Sequence, residues 1–116
     1  MRVDMTAFTI LKNTKSGESL RVRLRPFWEV DAPKVIDCIR DEYGESYYKP
    51  EFYSEDYLIE SHKNRTVFIM CAELESGEVV GIMSIKRHKP LTDAVEIASL
   101  VIKKRCRGFH LANLFF

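Results

Sequence analysis

The chain has 116 residues and a net charge of +1 at pH 7, so it forms one domain at most, with a modest core. Its 46% hydrophobic and 30% charged residues are typical of a soluble globular protein, and the missing basic excess argues against a general nucleic-acid binder. No apolar run approaches membrane-spanning length, and no His/Cys cluster has metal-ligand spacing. We therefore expect no nucleic acid, no membrane and no metal among its partners.

The cysteines indicate a cellular compartment. The chain has three cysteines, Cys38, Cys71 and Cys106, and none forms a C-x-x-C pair. An odd count without such a pair indicates free thiols rather than a disulfide framework. Charged residues interrupt the first fifteen positions, which is not the pattern of a signal peptide. We expect a cytoplasmic protein.

Two strands are predicted near the beginning of the chain, at residues 6–12 and 20–25. Ser16-Gly17 lies between them and suits a hairpin turn. In the second strand, leucines and a valine alternate with three arginines, so one face should be buried. Pro26 ends this strand.

Two helices follow. Asp31 suits the N-cap of the first helix, Pro33 suits its first turn, and Gly44 closes it. Ser54 is the predicted N-cap of the second helix, which runs to about residue 63. Five of the eleven residues from 43 to 53, between the helices, are aromatic. Packing between the two helices is the simpler interpretation of most of these rings.

Three further strands are predicted at residues 66–75, 78–87 and 95–102. Ser76-Gly77 is a tight turn between the first two, and residues 88–93, which include Pro90, form a loop. Both alternating sets of the last strand are mostly apolar, so we expect it to be buried on both faces. The order strand, helix, helix, three strands, helix predicts an α+β fold with a mixed, mainly antiparallel sheet and flanking helices.

A basic turn and a helix start follow the last strand. Lys103, Lys104, Arg105 and Arg107 precede Gly108, after which apolar residues recur at helical spacing. A helix start offers unpaired N–H groups, and a glycine lets a phosphate approach the backbone closely. Strand, basic glycine turn and helix start together predict an anion-binding site.

At these residues the chain resembles the GNAT family of acyl-CoA-dependent N-acetyltransferases, whose hallmark is [Q/R]-x-x-G-x-[G/A] between a central strand and a helix. Residues 105–110 match the first two fixed positions with Arg105 and Gly108 and depart at the third, where His110 replaces a small residue. The strand Glu96-Ile97-x-x-Leu100-x-Ile102 and the pair Leu111-Ala112 also match. The element order is that of the N-terminal part of this domain.

The resemblance implies a domain organisation. Residues 20–116 would be a partial GNAT domain, and residues 1–19 an arm or extra strand. Because family members continue with further strands and a helix, we expect a C-terminally incomplete fold. The last predicted strand would then have an exposed apolar edge, which favours a homodimer or a strand-completing partner.

The resemblance also implies a cofactor site for acetyl-CoA. The backbone of Leu100, Val101 and Ile102 would pair with the pantetheine arm, and the N–H groups of the turn would hold the pyrophosphate. The residues of that turn are Arg105, Cys106, Arg107, Gly108, Phe109 and His110. The alternative is a solvated basic turn without a ligand.

Individual side chains have competing interpretations. Glu96 is the candidate general base, because a carboxylate among apolar neighbours has a raised pKa; a salt-bridged or exposed glutamate is the alternative. Cys106 could be reactive between two arginines, but packing is the preferred interpretation. His110 either crowds the phosphate or, when protonated, pairs with it. The aromatic stretch would border the groove of the amine acceptor.

The predicted function is transfer of an acetyl group from acetyl-CoA to an amine, although this incomplete chain is expected to be a poor catalyst. The alternative is a non-catalytic module of the same fold that binds acyl-CoA or a partner chain, as one half of a larger tandem protein. A small anion or RNA binder would rest on the KKRCR segment alone.

Overall fold

The structure is a computed structural model that describes residues 7–87 and 95–116, without the side chains of residues 95–98. The loop predicted at 88–93 lies outside the described residues. Five strands form one sheet: β1 Thr9–Lys12, β2 Ser19–Pro26, β3 Val67–Leu74, β4 Val79–Arg87 and β5 Val95–Ile102. Two α-helices, α1 Ala32–Tyr43 and α2 Glu55–Lys63, connect β2 to β3.

The sheet has the order β1-β2-β3-β4-β5. All four strand pairs within the described residues are antiparallel, and short turns join the β1–β2 and β3–β4 pairs as hairpins. The predicted α+β class is confirmed, and the parallel component that the prediction allowed for does not occur among the described strands. Both predicted hairpins form, with hydrogen bonds from the Gly17 N–H to Asn13 O and from the Gly77 N–H to Leu74 O.

The helices lie on one face of the sheet. In α1, Val35, Ile36 and Ile39 recur at helical spacing and are buried, as the pattern predicts. Ser54 caps α2 by accepting a hydrogen bond from the Tyr57 N–H at 3.2 Å, as predicted. A smaller apolar cluster on the opposite face joins β1 and β2 to the C-terminal segment through residues such as Leu111.

Asp31 is the N-cap residue of α1, as predicted, but its side chain makes no capping hydrogen bond. Its fully buried carboxylate accepts two hydrogen bonds from Arg25, at 2.6 and 2.8 Å, and one from the Trp28 N–H at 2.7 Å. Arg25 also donates to Glu73 at 2.7 Å. This hydrogen bond from Arg25 is the main cause that lowers the pKa of Glu73. A buried guanidinium needs such partners, and the network ties β2, β3 and the start of α1 together.

The predicted C-terminal α-helix is wrong. Residues Lys104–Cys106 and Leu111–Phe115 form short 3₁₀ helices instead. His110 adopts a left-handed conformation with φ 59°, which interrupts any helix that starts at Gly108. A helix of about nine residues is also marginal without extensive packing.

Candidate functional site

The last strand, β5, lies at the edge of the described sheet. Val101 faces the helices and is 2% exposed, whereas Leu100 on the other face is 37% exposed. The prediction that β5 is buried on both faces is therefore wrong for Leu100, whereas Ile102 on the same face packs against the cluster that contains Leu111. The outer edge of β5 has no described strand beside it, so its backbone donors and acceptors are open to an extended ligand.

A bulge interrupts the pairing of β5 with β4. Ser84 pairs with Ser99 and Ile85 pairs with Ile97, so Ala98 has no partner opposite. Bulges bend a strand locally and are common beside active sites. The predicted base Glu96 lies in the same strand, in register with Lys86. The role of Glu96 stays a prediction, since its side chain is outside the described part.

The segment from Lys103 to His110, which we call the basic turn, begins with a lysine that serves the fold. The Lys103 side chain is only 8% exposed, and its ammonium donates to Asp37 at 2.6 Å and to Glu78 at 2.9 Å. Burial lowers the pKa of Lys103, but these two hydrogen bonds outweigh burial and the net pKa is raised. Lys103 thus holds the end of β5 against α1 and the start of β4.

The arginines of the basic turn also have carboxylate partners. Arg105 pairs with Glu78, and Arg107 pairs with Glu42 near the end of α1. Burial acts to raise the pKa of Glu78, but the hydrogen bonds and charges of Arg105 and Lys103 together lower it. Sequence reasoning missed these acidic partners, of which Asp37 and Glu42 lie on α1 and Glu78 lies directly before β4. The spacing of Asp37 and Asp41, four residues apart on one helix face, was the available signal.

Two side chains of the basic turn are anchors. Cys106 and Phe109 are 2% and 7% exposed, so only their backbones remain for a ligand. Burial raises the pKa of the Cys106 thiol, which fits packing rather than a reactive thiolate. The N–H of Cys106 donates to Lys103 O, and that of Arg107 to Lys104 O. Two of the six predicted phosphate donors are therefore already used inside the turn.

The remaining backbone of the basic turn has an unusual conformation. Gly108 and His110 both have positive φ, at 89° and 59°, on either side of Phe109. Within the described residues, the N–H groups of Gly108, Phe109 and His110 donate no backbone hydrogen bond of standard geometry. Successive N–H groups in mixed right- and left-handed turns form concave sites for anions. His110 itself is exposed.

An open hollow of about 210 Å³ joins this turn to β5 and α1. Three predicted cofactor residues line it together with two residues of α1; the lining residues are Glu42, Tyr43, Leu100, Ile102 and Arg107. A larger groove of about 580 Å³ lies between the end of α2 and the start of β3, around His62, Arg65 and Phe68. None of the predicted cofactor residues, all of which lie in the described part of the chain, lines that groove, so the smaller hollow is the candidate cofactor site.

The aromatic stretch mostly packs, as the simpler interpretation holds. Tyr47 and Phe52 are 4% and 2% exposed, and the Tyr53 hydroxyl donates to Gly44 O at 2.6 Å. The Tyr47 hydroxyl is hydrogen bonded to the Ser99 hydroxyl, and burial raises the pKa of Tyr47 to about 12. This contact fixes the loop between the helices to β5. Tyr43 and Tyr48 remain exposed beside it.

Within residues 7–87 and 95–116, no group of His, Cys, Asp and Glu side chains has an arrangement suited to a metal ion. No α-helix within the same described ranges has the length and hydrophobicity to cross a membrane.

Comparison with solved structures identifies the fold. A GNAT family N-acetyltransferase from Escherichia coli, in complex with CoA, matches with a TM-score of 0.62 and 18% identity, over 84% of this chain and 53% of that chain. An acetyltransferase from Trypanosoma brucei matches with a TM-score of 0.62 and 14% identity, over 80% of this chain and 68% of that one. The ribosomal-protein-S5-alanine acetyltransferase from Vibrio fischeri matches with 0.56 and 13%, over 80% and 58%.

These likenesses show that the chain has the acyl-CoA N-acyltransferase (GNAT) fold, which confirms the predicted fold class. The chain spans about half the length of the E. coli protein, at 53%. No protein-family model matches the sequence, and a search of curated proteins finds no match.

Proposed function

We propose that this chain carries the cofactor half of an N-acyltransferase site, which transfers an acetyl group from acetyl-CoA to an amine. The observation that carries the proposal is the hollow, where the open edge of β5 meets the basic turn through Leu100, Ile102 and Arg107. The fold supports the same cofactor, because one structure of this fold contains CoA. We propose a cytoplasmic location, in keeping with three free, buried cysteines.

The pantetheine arm would lie along β5. Its amide groups would pair with the open backbone edge at Leu100, Val101 and Ile102, as an added strand does. The half-exposed Leu100 side chain would contact the apolar part of the arm. The edge that receives the arm is also where a second copy or a strand-completing partner would pair.

The pyrophosphate would bind at the basic turn. The N–H groups of Gly108, Phe109 and His110 would donate to it, and Arg107 would supply charge. The N–H of Arg105 completes this set, while Cys106 would contribute packing. Residues 1–19 would be an arm whose β1 strand extends the sheet of the domain at 20–116.

The chemical step would take place beside the bulge at Ala98. Glu96 would accept a proton from the amine, directly or through water, and the amine nitrogen would then attack the thioester carbonyl. A β5 N–H would stabilise the oxyanion that forms before the CoA thiolate leaves. The exposed Tyr43 and Tyr48 rings would border the amine acceptor.

Calorimetric titration with CoA tests the cofactor assignment. Arg107→Ala should weaken CoA binding about tenfold, by about 1.5 kcal/mol, which is the low end for a charge-assisted contact because Glu42 already holds this arginine. Arg21 lies on β2 and forms an exposed ion pair with Glu75. Arg21→Ala removes an equal charge and should leave CoA binding unchanged. Equal affinities for wild type and Arg107→Ala would remove Arg107 from the site.

Turnover separates the enzyme from a binding module. Glu96→Gln should lower the rate of acetyl transfer to an amine and change its pH profile, while CoA binding stays intact. An unchanged pH–rate profile would reduce Glu96 to a structural residue. Binding of CoA by wild type with no acetylation of any amine would support the alternative, a non-catalytic module that holds acyl-CoA or a partner chain.

A further inference from the structure

Carboxylates already cover the surface of the basic turn. Asp37 and Glu78 hold Lys103, Glu78 also holds Arg105, and Asp41 accepts from the Lys104 N–H at 2.8 Å. The fourth carboxylate, Glu42, pairs with Arg107. A ligand phosphate that enters this site therefore meets two arginines, Arg105 and Arg107, that are already paired.

The pair of Glu42 with Arg107 differs from the others in its position. The Lys103 side chain is only 8% exposed, and it ties three elements of the fold together. Arg105 and Glu78 are at least as exposed as Arg107 and Glu42. Only Arg107 and Glu42, however, are among the residues that line the hollow beside β5. Glu42 is thus the carboxylate that an incoming ligand would meet.

We propose that Glu42 occupies the phosphate position on Arg107 in the free protein and is displaced when a phosphate-bearing cofactor binds. This inference rests on the proposed function. A guanidinium presents its donors to a carboxylate or to a phosphate in the same forked geometry, so the two acceptors compete. Glu42 therefore lowers the affinity for the phosphate part of the cofactor and leaves the affinity for the pantetheine part unchanged.

The position of Glu42 in its helix fits this exchange. It lies one residue before the end of α1, where the helix dipole disfavours a negative charge. Arg107 offsets that cost in the free protein. The opposite role, in which Glu42 orients Arg107 toward the phosphate, predicts the opposite effect of removing the carboxylate.

Calorimetry with two ligands decides between these roles. Glu42→Gln should tighten CoA binding about two- to fivefold, which is the size of effect expected for an exposed ion pair. The same variant should bind S-acetylpantetheine, which has no phosphate, as wild type does. Glu45→Gln is the matched control, since it removes an equal charge next to the same end of α1, where Glu45 pairs with Arg40 at 2.7 Å. It should change neither affinity.

A double variant removes the remaining ambiguity. In an Arg107→Ala background, Glu42→Gln should no longer tighten CoA binding, because the guanidinium for which Glu42 and the phosphate compete is absent. Unchanged or weaker CoA binding by Glu42→Gln, while wild type binds CoA, would overturn this inference alone. Equal tightening toward both ligands would also overturn it, since the phosphate would then play no part. Failure of every variant to bind CoA would overturn the proposed function as well.

Discussion

Gly108 is the position where a single methyl group should cost most in the basic turn. Its φ is +89°, and a Cβ added there would lie 2.8 Å from the Nδ2 of Asn13 in the β1–β2 turn. The Asn13 side chain is itself held, because its Oδ1 accepts from the N–H groups of Lys15 at 2.9 Å and Ser16 at 3.2 Å. The methyl group would therefore strain the backbone and displace a bonded neighbour.

The expected destabilisation follows from these two contacts. A non-glycine residue in the left-handed region costs about 1–2 kcal/mol. Displacing Asn13 weakens one or two hydrogen bonds of about 0.5–1.5 kcal/mol each. Gly108→Ala should therefore lower the free energy of unfolding by about 2–3 kcal/mol, a large part of the roughly 6–17 kcal/mol expected for a domain of this size.

Urea denaturation measures this cost, and Gly17→Ala is the matched control. Gly17 also has a positive φ, at +78°, but among the described residues no atom outside its chain neighbours lies within 4 Å of its added Cβ. It should therefore show the backbone strain alone, about 1–2 kcal/mol. Equal losses of stability in the two variants would refute the argument that Asn13 packs against Gly108. Gly108→Ala should also weaken CoA binding, because the strained backbone would displace the N–H of residue 108, which is a proposed phosphate donor.

Three further predictions concern the buried charges and thiols. Asp31→Ala should lower the free energy of unfolding by about 3–5 kcal/mol in urea titrations, because Arg25 loses its buried bidentate partner; a loss under about 1 kcal/mol, the value for an exposed pair, would contradict this. Glu73 has a pKa below its usual 4.5, so its stabilisation is present above that pH and is lost as the pH falls through the folded-state value. Glu73→Gln should reduce the decrease in the free energy of unfolding as the pH falls. An unchanged pH dependence would show that Glu73 does not contribute to it. The three buried cysteines should react with a thiol reagent only as fast as the protein unfolds; rapid labelling of the native protein would show that they are accessible.

Local sequence patterns were sufficient for most of the sheet and for both helices. Alternation in β2 and the glycine turns at Gly17 and Gly77 identify two hairpins, because strand period and turn chemistry are properties of neighbouring residues. The same holds for α1, whose buried face repeats at helical spacing. The prediction for the C-terminal segment failed because the four apolar residues of Leu111–Phe115 fit a 3₁₀ helix as well as the start of an α-helix.

The partners of charged side chains could not be predicted in the same way. The Asp31 side chain was expected to cap α1, but its carboxylate accepts hydrogen bonds from Arg25 of β2 instead. The partners of the basic turn lie far away along the chain, with Asp37 66 residues from Lys103 and Glu42 65 residues from Arg107. Ion pairs of this kind depend on how the strands and helices pack together, and no local period encodes them.

The central claim is that CoA binds along β5 and at the basic turn. Amide hydrogen exchange with and without CoA tests it most directly, because a bound ligand slows the exchange of the N–H groups it covers. We expect slower exchange at residues 100–102 and 108–110, and no change around His62 and Phe68 in the larger groove. Protection in that groove, with unchanged exchange along β5 and the basic turn, would contradict the account.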